Sequence, residues 1–354
     1  MKSQKKKLNL VGVLALILIF LSACGRNASK QTLLQQPYED TEFLMGTYVT
    51  LRIYDEEKEA IIEKGFNRVK NLADRLSGET QESEITAINQ AAGKNPVVLS
   101  EDVYDLVKYA AEYTAESKGE FDYTIGPITD LWRIGFDDAR KPEPVEIDEA
   151  LQLVDYKSVE LDDEERSVFL KKEGMMLDLG AIAKGYMADE IHELFEEEGV
   201  TTAIIDLGGN VFVMGGSPSR EGEFWNVGVQ DPFGNRGESI GSTKQTNRSI
   251  VTSGIYERYL EVDGKLYHHL MDPDVGYPFE NEIAGISIIS EKSVDGDALS
   301  TLVFGLGLEA GLEYVNQREG VEAVFISKDK NIYLSDGLKD NFELTNKKYT
   351  LIEE

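Results

Sequence analysis

The sequence predicts an α+β fold, with mixed and antiparallel sheets flanked by helices. Runs of β-branched and aromatic residues that alternate in hydrophobicity recur along most of the 354 residues. Segments of helical period are fewer, and several strand-like runs follow one another between them, which disfavours a doubly wound parallel sheet. The composition is that of a globular chain, 41% hydrophobic and 29% charged with a mean hydropathy of -0.30, and excludes both wholesale disorder and a polytopic membrane protein.

Charge and cysteine use narrow the function classes. Sixty-five Asp and Glu against 36 Lys and Arg give a formal charge of -29 and an isoelectric point near 4.5. So acidic a surface repels phosphate backbones and argues against nucleic acid as a partner. The single cysteine, Cys24, excludes an internal disulfide framework and any cysteine-built zinc or iron–sulfur site. It follows Lys2, Lys5, Lys6 and Lys7, an apolar run over 8–21, and Ser22-Ala23, the layout of a secretory signal too short for a membrane span. Leu21-Ser22-Ala23-Cys24 resembles a bacterial lipobox, which implies cleavage before Cys24, lipidation of its thiol and an extracytoplasmic protein. The expected organisation is a signal peptide over 1–23, a polar tether over 24–40 and one folded domain over 41–354.

Within that domain, 45–54 alternates as a strand and 56–76 carries an apolar stripe from Ile62 to Leu76 at helical spacing. Ser100, followed by Glu101 and Asp102, reads as the N-cap of a third element, a helix. The segment 141–144 reads as a turn-rich loop. Short strands are expected at 159–161, 168–170 and 175–179, then a helix over 182–198 and a buried strand over 202–207 ending in Gly208-Gly209. Further strands fall at 225–229, 249–252, 256–262, 266–270, 283–289 and 323–326, with one helix over 295–316 before the last.

Five segments place polar residues where a core does not need them. In 119–132, Gly126 and Pro127 break any regular element, so Asp122 and Thr124 are presented by a loop or short strand, unless the segment only packs Phe121 and Trp132 into the core. In 177–189, Asp178, a small-residue turn and a helix start with Lys184 offer backbone amides and an ammonium to a phosphate, although the Walker spacing is absent. The strand into Gly208-Gly209 serves equally as a hairpin corner or as a ligand contact. In 252–278, His268 and His269 adjoin and therefore face opposite sides of a strand, so one of them can act at a site. His192, on the acidic helix, is expected in solvent. Asp297 and Thr301, four residues apart on a helix, put a carboxylate and a hydroxyl on one face. They are a hard oxygen set suited to Mg²⁺ or, blandly, a cap and a self-bonded threonine.

In order along residues 41–330, these segments resemble the ApbE-type FAD:protein FMN transferases. The resemblance is carried first by Met45-Gly46-Thr47, Ser83-Glu84-Ile85, Ile88-Asn89, Phe121-Asp122, Gly126-Pro127 and Trp132. It continues through Asp178-Leu179-Gly180, Lys184-Gly185, Asp189, Gly208-Gly209 and Thr252-Ser253-Gly254 with Tyr256. His269, Asp272-Pro273, Gly276-Tyr277-Pro278, Asp297 and Thr301 complete it. The resemblance implies transfer of FMN from the substrate FAD to a threonine of a target flavoprotein, with release of AMP. It implies a Mg²⁺ held by Asp297, Thr301 and the main-chain carbonyl at Ala181. FAD contacts are implied for Met45, Glu120, Phe121, Asp122, Asp178, Lys184 and the Leu270 and Met271 backbone.

Two departures stand out. Gly78-Glu79-Thr80 lacks the aromatic that many members carry there, leaving Tyr48 or Phe121 to stack on the flavin, and Glu120 replaces a small residue, so its contact is expected through the backbone. Lys184 would neutralise the pyrophosphate and His269 is the candidate base, since an imidazole titrates near neutrality. A lipid-anchored enzyme on the outer face of the cytoplasmic membrane, modifying flavoproteins exposed there, is the expected whole. The alternatives are an FAD pyrophosphatase, with water in place of threonine, and a non-enzymatic flavin-binding lipoprotein.

Overall fold

A computed structural model describes residues 33–352 except 79 and 81, so the signal peptide, Cys24 and Glu79 lie outside the described residues. Strands β1 (Leu33–Leu44) and β2 (Thr47–Asp55) open the fold, followed by helices α1 (Glu59–Leu76) and α2 (Glu84–Ala91), strand β3 (Val97–Val98) and helix α3 (Glu101–Glu116). Next come α4 (Gly126–Trp132), α5 (Pro144–Leu151), β4 (Val159–Asp162), β5 (Ser167–Leu170) and α6 (Ala183–Glu197). A strand-rich stretch holds β6 (Ala203–Leu207), β7 (Asn210–Met214), β8 (Trp225–Gln230), β9 (Ser239–Gln245), β10 (Arg248–Gly254), β11 (Tyr259–Val262), β12 (Lys265–His268) and β13 (Ile283–Ser290). The chain closes with α7 (Ser293–Leu306), α8 (Leu308–Asn316), β14 (Glu322–Ser327), β15 (Asn331–Leu334), β16 (Phe342–Leu344) and β17 (Thr350–Leu351).

Nine strands form the main sheet in the order β1-β2-β6-β7-β10-β13-β14-β15-β17. Its registered pairs from β2 to β15 are antiparallel and β15–β17 is parallel, so the α+β expectation holds. Successive side chains on a strand face opposite ways, and the two faces bury different partners. Phe212, Ile288 and Phe325 pack under the helix layer with Val69, Ile191 and Leu302. Val213, Ile289 and Val324 pack on the other face with Trp225, Val229 and Ile240 of the three-stranded sheet β16-β9-β8. Covered on both sides, β13 is buried along its whole length.

Several expectations need correction. The last eight residues of the predicted tether, from Leu33, belong to the edge strand β1, which pairs with β2 across the two-residue turn Met45-Gly46. Both turn residues have positive φ, 52° and 71°, the geometry whose twist matches a tight hairpin. Gly126-Pro127 starts α4 instead of breaking it, and Pro144 likewise lies in the first turn of α5, because proline lacks an N–H only where the helix does not need one. The stretch 175–179 is extended but makes only a single parallel bridge, Met176 to Ile125, and the Asn89 side chain adds to it, accepting from Leu177 N at 2.8 Å and donating to Leu177 O at 3.2 Å. The predicted helix over 295–316 is two helices, parted at Gly307 with φ 79° and ψ 178°.

Ser100 does not cap α3 with its side chain. Its hydroxyl donates to Glu84 Oε1 at 2.7 Å and accepts from Arg75 Nη1 at 2.8 Å, while Arg75 also grips Asp102 with both terminal nitrogens, Nη1 to Oδ1 at 2.6 Å. This network ties α1, α2 and α3 together. The Arg75 hydrogen bonds hold the Asp102 carboxyl down to about 2, below its value near 3.9 in an unfolded chain. A depressed acid stabilises the fold above the unfolded value and loses that contribution as pH falls through the folded one. Asp102→Asn should therefore cost about 1 kcal/mol at pH 7, allowing for partial solvent exposure of both partners. Urea midpoints of the two proteins should converge as the pH approaches 2; a gap that ignores pH would refute the ion pair.

Candidate functional site

Helices α6 and α7 cross near their N-termini in an approach that only glycine permits. A Cβ on Gly185 would stand 2.3 Å from the Ser293 carbonyl oxygen and 2.7 Å from Val294 Cα. Across this contact each helix takes a carboxylate from the other. Asp189 of α6 accepts from Ser293 N at 2.7 Å and Val294 N at 2.9 Å, at the start of α7. Asp297 of α7 accepts from Gly185 N at 2.9 Å in the first turn of α6. Free N–H groups and the positive end of the helix dipole stabilise an anion at both places. Burial pushes the Asp189 carboxyl up to about 7, against the pull of its two amide bonds.

Asp297 is 2% exposed, and a carboxylate so buried needs a second partner. Lys184 supplies it, with Nζ 3.2 Å from Asp297 Oδ1 and 2.9 Å from Asn210 Oδ1. Asn210 opens β7 on the helix-facing side of the sheet, is fully buried, and its Nδ2 has no partner among the described residues. It follows the turn Gly208-Gly209, whose φ values of 64° and 110° make a second tight hairpin tip. A Cβ on Gly208 would fall 2.0 Å from Thr47 Oγ1, so the two tips, 45–46 and 208–209, stand side by side at one end of the sheet.

The polar loops converge there. Asp178 Oδ2 accepts from Thr129 Oγ1 at 2.6 Å and its Oδ1 from Gly180 N at 2.7 Å, and Asp178 N donates to Tyr123 O at 2.9 Å, so the segments 119–132 and 177–189 are joined. Trp132 Nε1 donates to Gly276 O at 2.9 Å, and its ring packs on Tyr267 and Tyr277, joining the segment that holds His269. Arg258 reaches past Gly135 toward Gly46. Glu257 Oε1 lies 4.0 Å from the position of a Cβ on Gly209.

Glu257 is exposed and His269 half-buried, with protein on several sides of both. Crowding pushes the Glu257 carboxyl up to about 7, with Lys184, Arg258 and Arg236 opposing, and the His269 imidazole down to about 3. His269 Nδ1 lies 3.3 Å from the Arg258 carbonyl oxygen, which can only accept, so Nδ1 carries the proton and Nε2 is bare.

The family profile described as the ApbE family matches residues 45–325, most of the chain. The chain belongs to the ApbE family. Among its relatives, the FAD:protein FMN transferase of Klebsiella pneumoniae (strain 342) is 39% identical over 89% of this chain and 97% of its own length. The FAD:protein FMN transferase of Treponema pallidum (strain Nichols) is 35% identical over 96% and 97%. In three dimensions the crystal structure of the ApbE protein from Thermotoga maritima superposes with a TM-score of 0.77 at 31% identity, covering 86% of this chain and all but 1% of that one. The apo flavinyl transferase ApbE of Pseudomonas stutzeri, 24% identical with a TM-score of 0.72 over 88% and 95%, shares the fold.

Against this ApbE frame the expected site residues divide. Lys184, Asp297, Asp178 and His269 border the cleft. Thr301 follows Asp297 by one helical turn on α7 and is half-buried. The Gly185 N–H, which a continuing helix would give to the Ala181 carbonyl, goes to Asp297, and among the described residues no hydrogen bond ends on that carbonyl. Met45 is the strained tip of the β1–β2 turn. Asp122 spends Oδ1 on Thr124 N and Oγ1, both at 2.7 Å, and Thr124 is fully buried instead of presented. Phe121 is 3% exposed with its ring edge-on to Tyr113, so it cannot stack on a flavin, whereas Tyr48 is 57% exposed beside Phe43. Glu120 turns its carboxylate toward Gly305, and burial raises its pKa. Leu270 and Met271 bury their side chains, leaving only backbone to contact a ligand. His192 is not solvated as expected but stacks on Phe212 at 4.2 Å, and its burial there lowers its pKa.

Sequence reasoning passed over Asn210, Glu257 and Arg258. A polar residue inside the apolar run 203–214 is the signal for the first; adjacent opposite charges in a strand-like run mark the others. The Gly185 contact yields a direct test. Gly185→Ala should destabilise the protein by about 2–3 kcal/mol through overpacking and separate Asp297 from the first turn of α6, while Gly78→Ala, in open space, should move the denaturation midpoint little. Equal midpoints would mean that α6 and α7 can part without cost.

Proposed function

We infer that this ApbE-family chain is an FAD:protein FMN transferase, moving the FMN half of FAD onto a protein acceptor and releasing AMP. The observation that carries the reading is the contact of Asp297 with Gly185 and Lys184 at the floor of a cleft walled by the segments the family shares. Two relatives of that printed activity, aligned over nearly the whole chain, support it. The acceptor group is a threonine hydroxyl of a flavoprotein.

The resident cofactor is Mg²⁺, a proposal supported by the chemistry of the donors. Asp297, Thr301 and the Ala181 carbonyl offer only hard oxygens, and the carbonyl is left without a donor. Among the described residues no group of three or more His, Cys, Asp or Glu gathers. Bound there, the ion would withdraw charge from the pyrophosphate as the bridging bond breaks. The chain's own residues do the remainder. Lys184 places an ammonium beside the phosphates, a positively charged group in a low-dielectric floor. Asp178, fixed by Thr129 and Gly180, lines the approach for the polar edges of the dinucleotide, and Tyr48 offers an exposed ring to the flavin. His269, its ring oriented by the Arg258 carbonyl, stays neutral and presents Nε2 as an acceptor.

Incubation with FAD, Mg²⁺ and the flavoprotein acceptor of the Klebsiella relative tests the reaction, read as in-gel flavin fluorescence and AMP. Covalent flavin with stoichiometric AMP is expected; AMP without covalent flavin would make the chain a pyrophosphatase, and unchanged FAD a binding protein. Asp297→Ala should lower transfer by more than about 100-fold, and chelation of Mg²⁺ should do the same to the wild type. Full activity of either would remove the metal from the account.

The cellular address proposed is the outer face of the cytoplasmic membrane, through lipid on Cys24. Support comes from the basic head, the apolar run and the Leu21-Ser22-Ala23-Cys24 ending. Each buried CH₂ contributes about 0.8 kcal/mol, so two or more acyl chains hold firmly. Cys24→Ser should leave the protein unacylated, in the soluble fraction or as an uncleaved precursor. Mass spectrometry of the mature wild-type N-terminus should find acylated Cys24 first; an unmodified Cys24 or another start sinks the idea.

A further inference from the structure

We propose that Asn210 is the positioning residue for Lys184: its carboxamide oxygen holds the ammonium in place and leaves an N–H for the pyrophosphate of FAD. The proposal rests on the FMN-transfer reading and deepens it.

Strand β7 turns Asn210, Phe212 and Met214 toward the helix layer, where the last two belong to the apolar core. Asn210 has none of its surface exposed. A leucine would fill such a position without polar atoms to satisfy. The carboxamide found there is only half satisfied. Its Oδ1 accepts from Lys184 Nζ at 2.9 Å, while Nδ2 has no partner among the described residues. An asparagine kept for architecture uses both ends, as Asn89 does in holding Leu177 N and O. Asn210 carries the desolvation of an unmet donor for the sake of one hydrogen bond, and that bond goes to the ammonium.

The scaffold makes the bond directional. Asn210 pairs with Leu207 across the Gly208-Gly209 turn and with Val251 of β10, so its backbone is held from both sides. An ammonium only donates, so the carboxamide must turn its oxygen to Lys184. Lys184 lies in the first turn of α6, and its side chain is 26% exposed. Of its three N–H groups, one faces Asn210 and one faces Asp297 Oδ1 at 3.2 Å. Two anchors on separate elements fix the end of a flexible four-carbon stem and leave the third donor to the open side. Asp297 alone is a poorer anchor, because it also accepts from Gly185 N and is the carboxylate proposed for Mg²⁺. Asn210 is neutral and shares its oxygen with nothing else among the described residues.

Fluorescence titration of FAD in EDTA reads this role without metal or acceptor. Lys184→Met and Asn210→Leu should each weaken binding, the leucine variant by about 5–20-fold, the range of one hydrogen bond to a charged group. The double variant should bind no more weakly than Lys184→Met, because Asn210 acts through the ammonium alone. Asn210→Ala, which cannot overfill the site, should show the same dependence on Lys184. The urea midpoint of Asn210→Leu should stay at or above that of the wild type, since an apolar side chain replaces a half-satisfied amide. A lowered midpoint with unchanged FAD affinity would make Asn210 a structural residue and overturn the proposal. So would an equal loss of affinity with and without Lys184. A Lys184→Met protein that binds FAD as the wild type does would leave Asn210 nothing to position. Failure of the wild type to bind FAD would instead strike the transferase reading, and with it the pyrophosphate that Lys184 is said to meet.

Discussion

Everything at the reactive end of this molecule depends on two helices lending each other a carboxylate. Asp189 terminates α7 and Asp297 terminates α6, so neither helix start is complete alone. The exchange works only at the closeness that Gly185 allows. It fixes the angle between the helices by hydrogen bonds as well as by packing, which sets the groups of both helices in one frame. A buried charge is costly unless paired, and here the pairing is also what positions it.

The acidity of the chain makes the cleft unusual. On a surface dominated by carboxylates, Lys184, Arg236 and Arg258 gather about Glu257 and Asp297 at the ends of three strands and a helix. A pyrophosphate approaching the general surface is repelled, while one entering here meets a local group of cations. Local neutralisation also explains why so few basic residues suffice.

Much of this was legible before any coordinates. The helices of α1, α3 and α6 follow from apolar spacing, and the central strands from alternation and β-branching. Asp297 with Thr301 and Asp178 with Lys184 were visible as polar residues in places a core would not want them. The errors share a cause. Gly126-Pro127 and Pro144 were read as interruptions because a proline's meaning depends on which turn of a helix it occupies. The 175–179 segment has the residues of a strand, yet its partners are a single bridge to Ile125 and one side chain, Asn89, which local pattern cannot reveal. Phe121 and Thr124 showed that a polar or aromatic residue near a site can be spent on holding the loop. Glu257 drew no attention because its surroundings, a hairpin tip some fifty residues earlier in the chain, are brought to it only by the fold.

The strand that opens the fold at Leu33 also sets a length. An anchor at Cys24, as proposed, would leave eight residues before the chain is committed to the edge of the main sheet. Fully extended, such a leash reaches about 30 Å, less than the span of a domain this size. An enzyme held that closely cannot search the space beyond the membrane surface. So anchored, it would work as a local tool, and its acceptors would have to bring their threonine down to it.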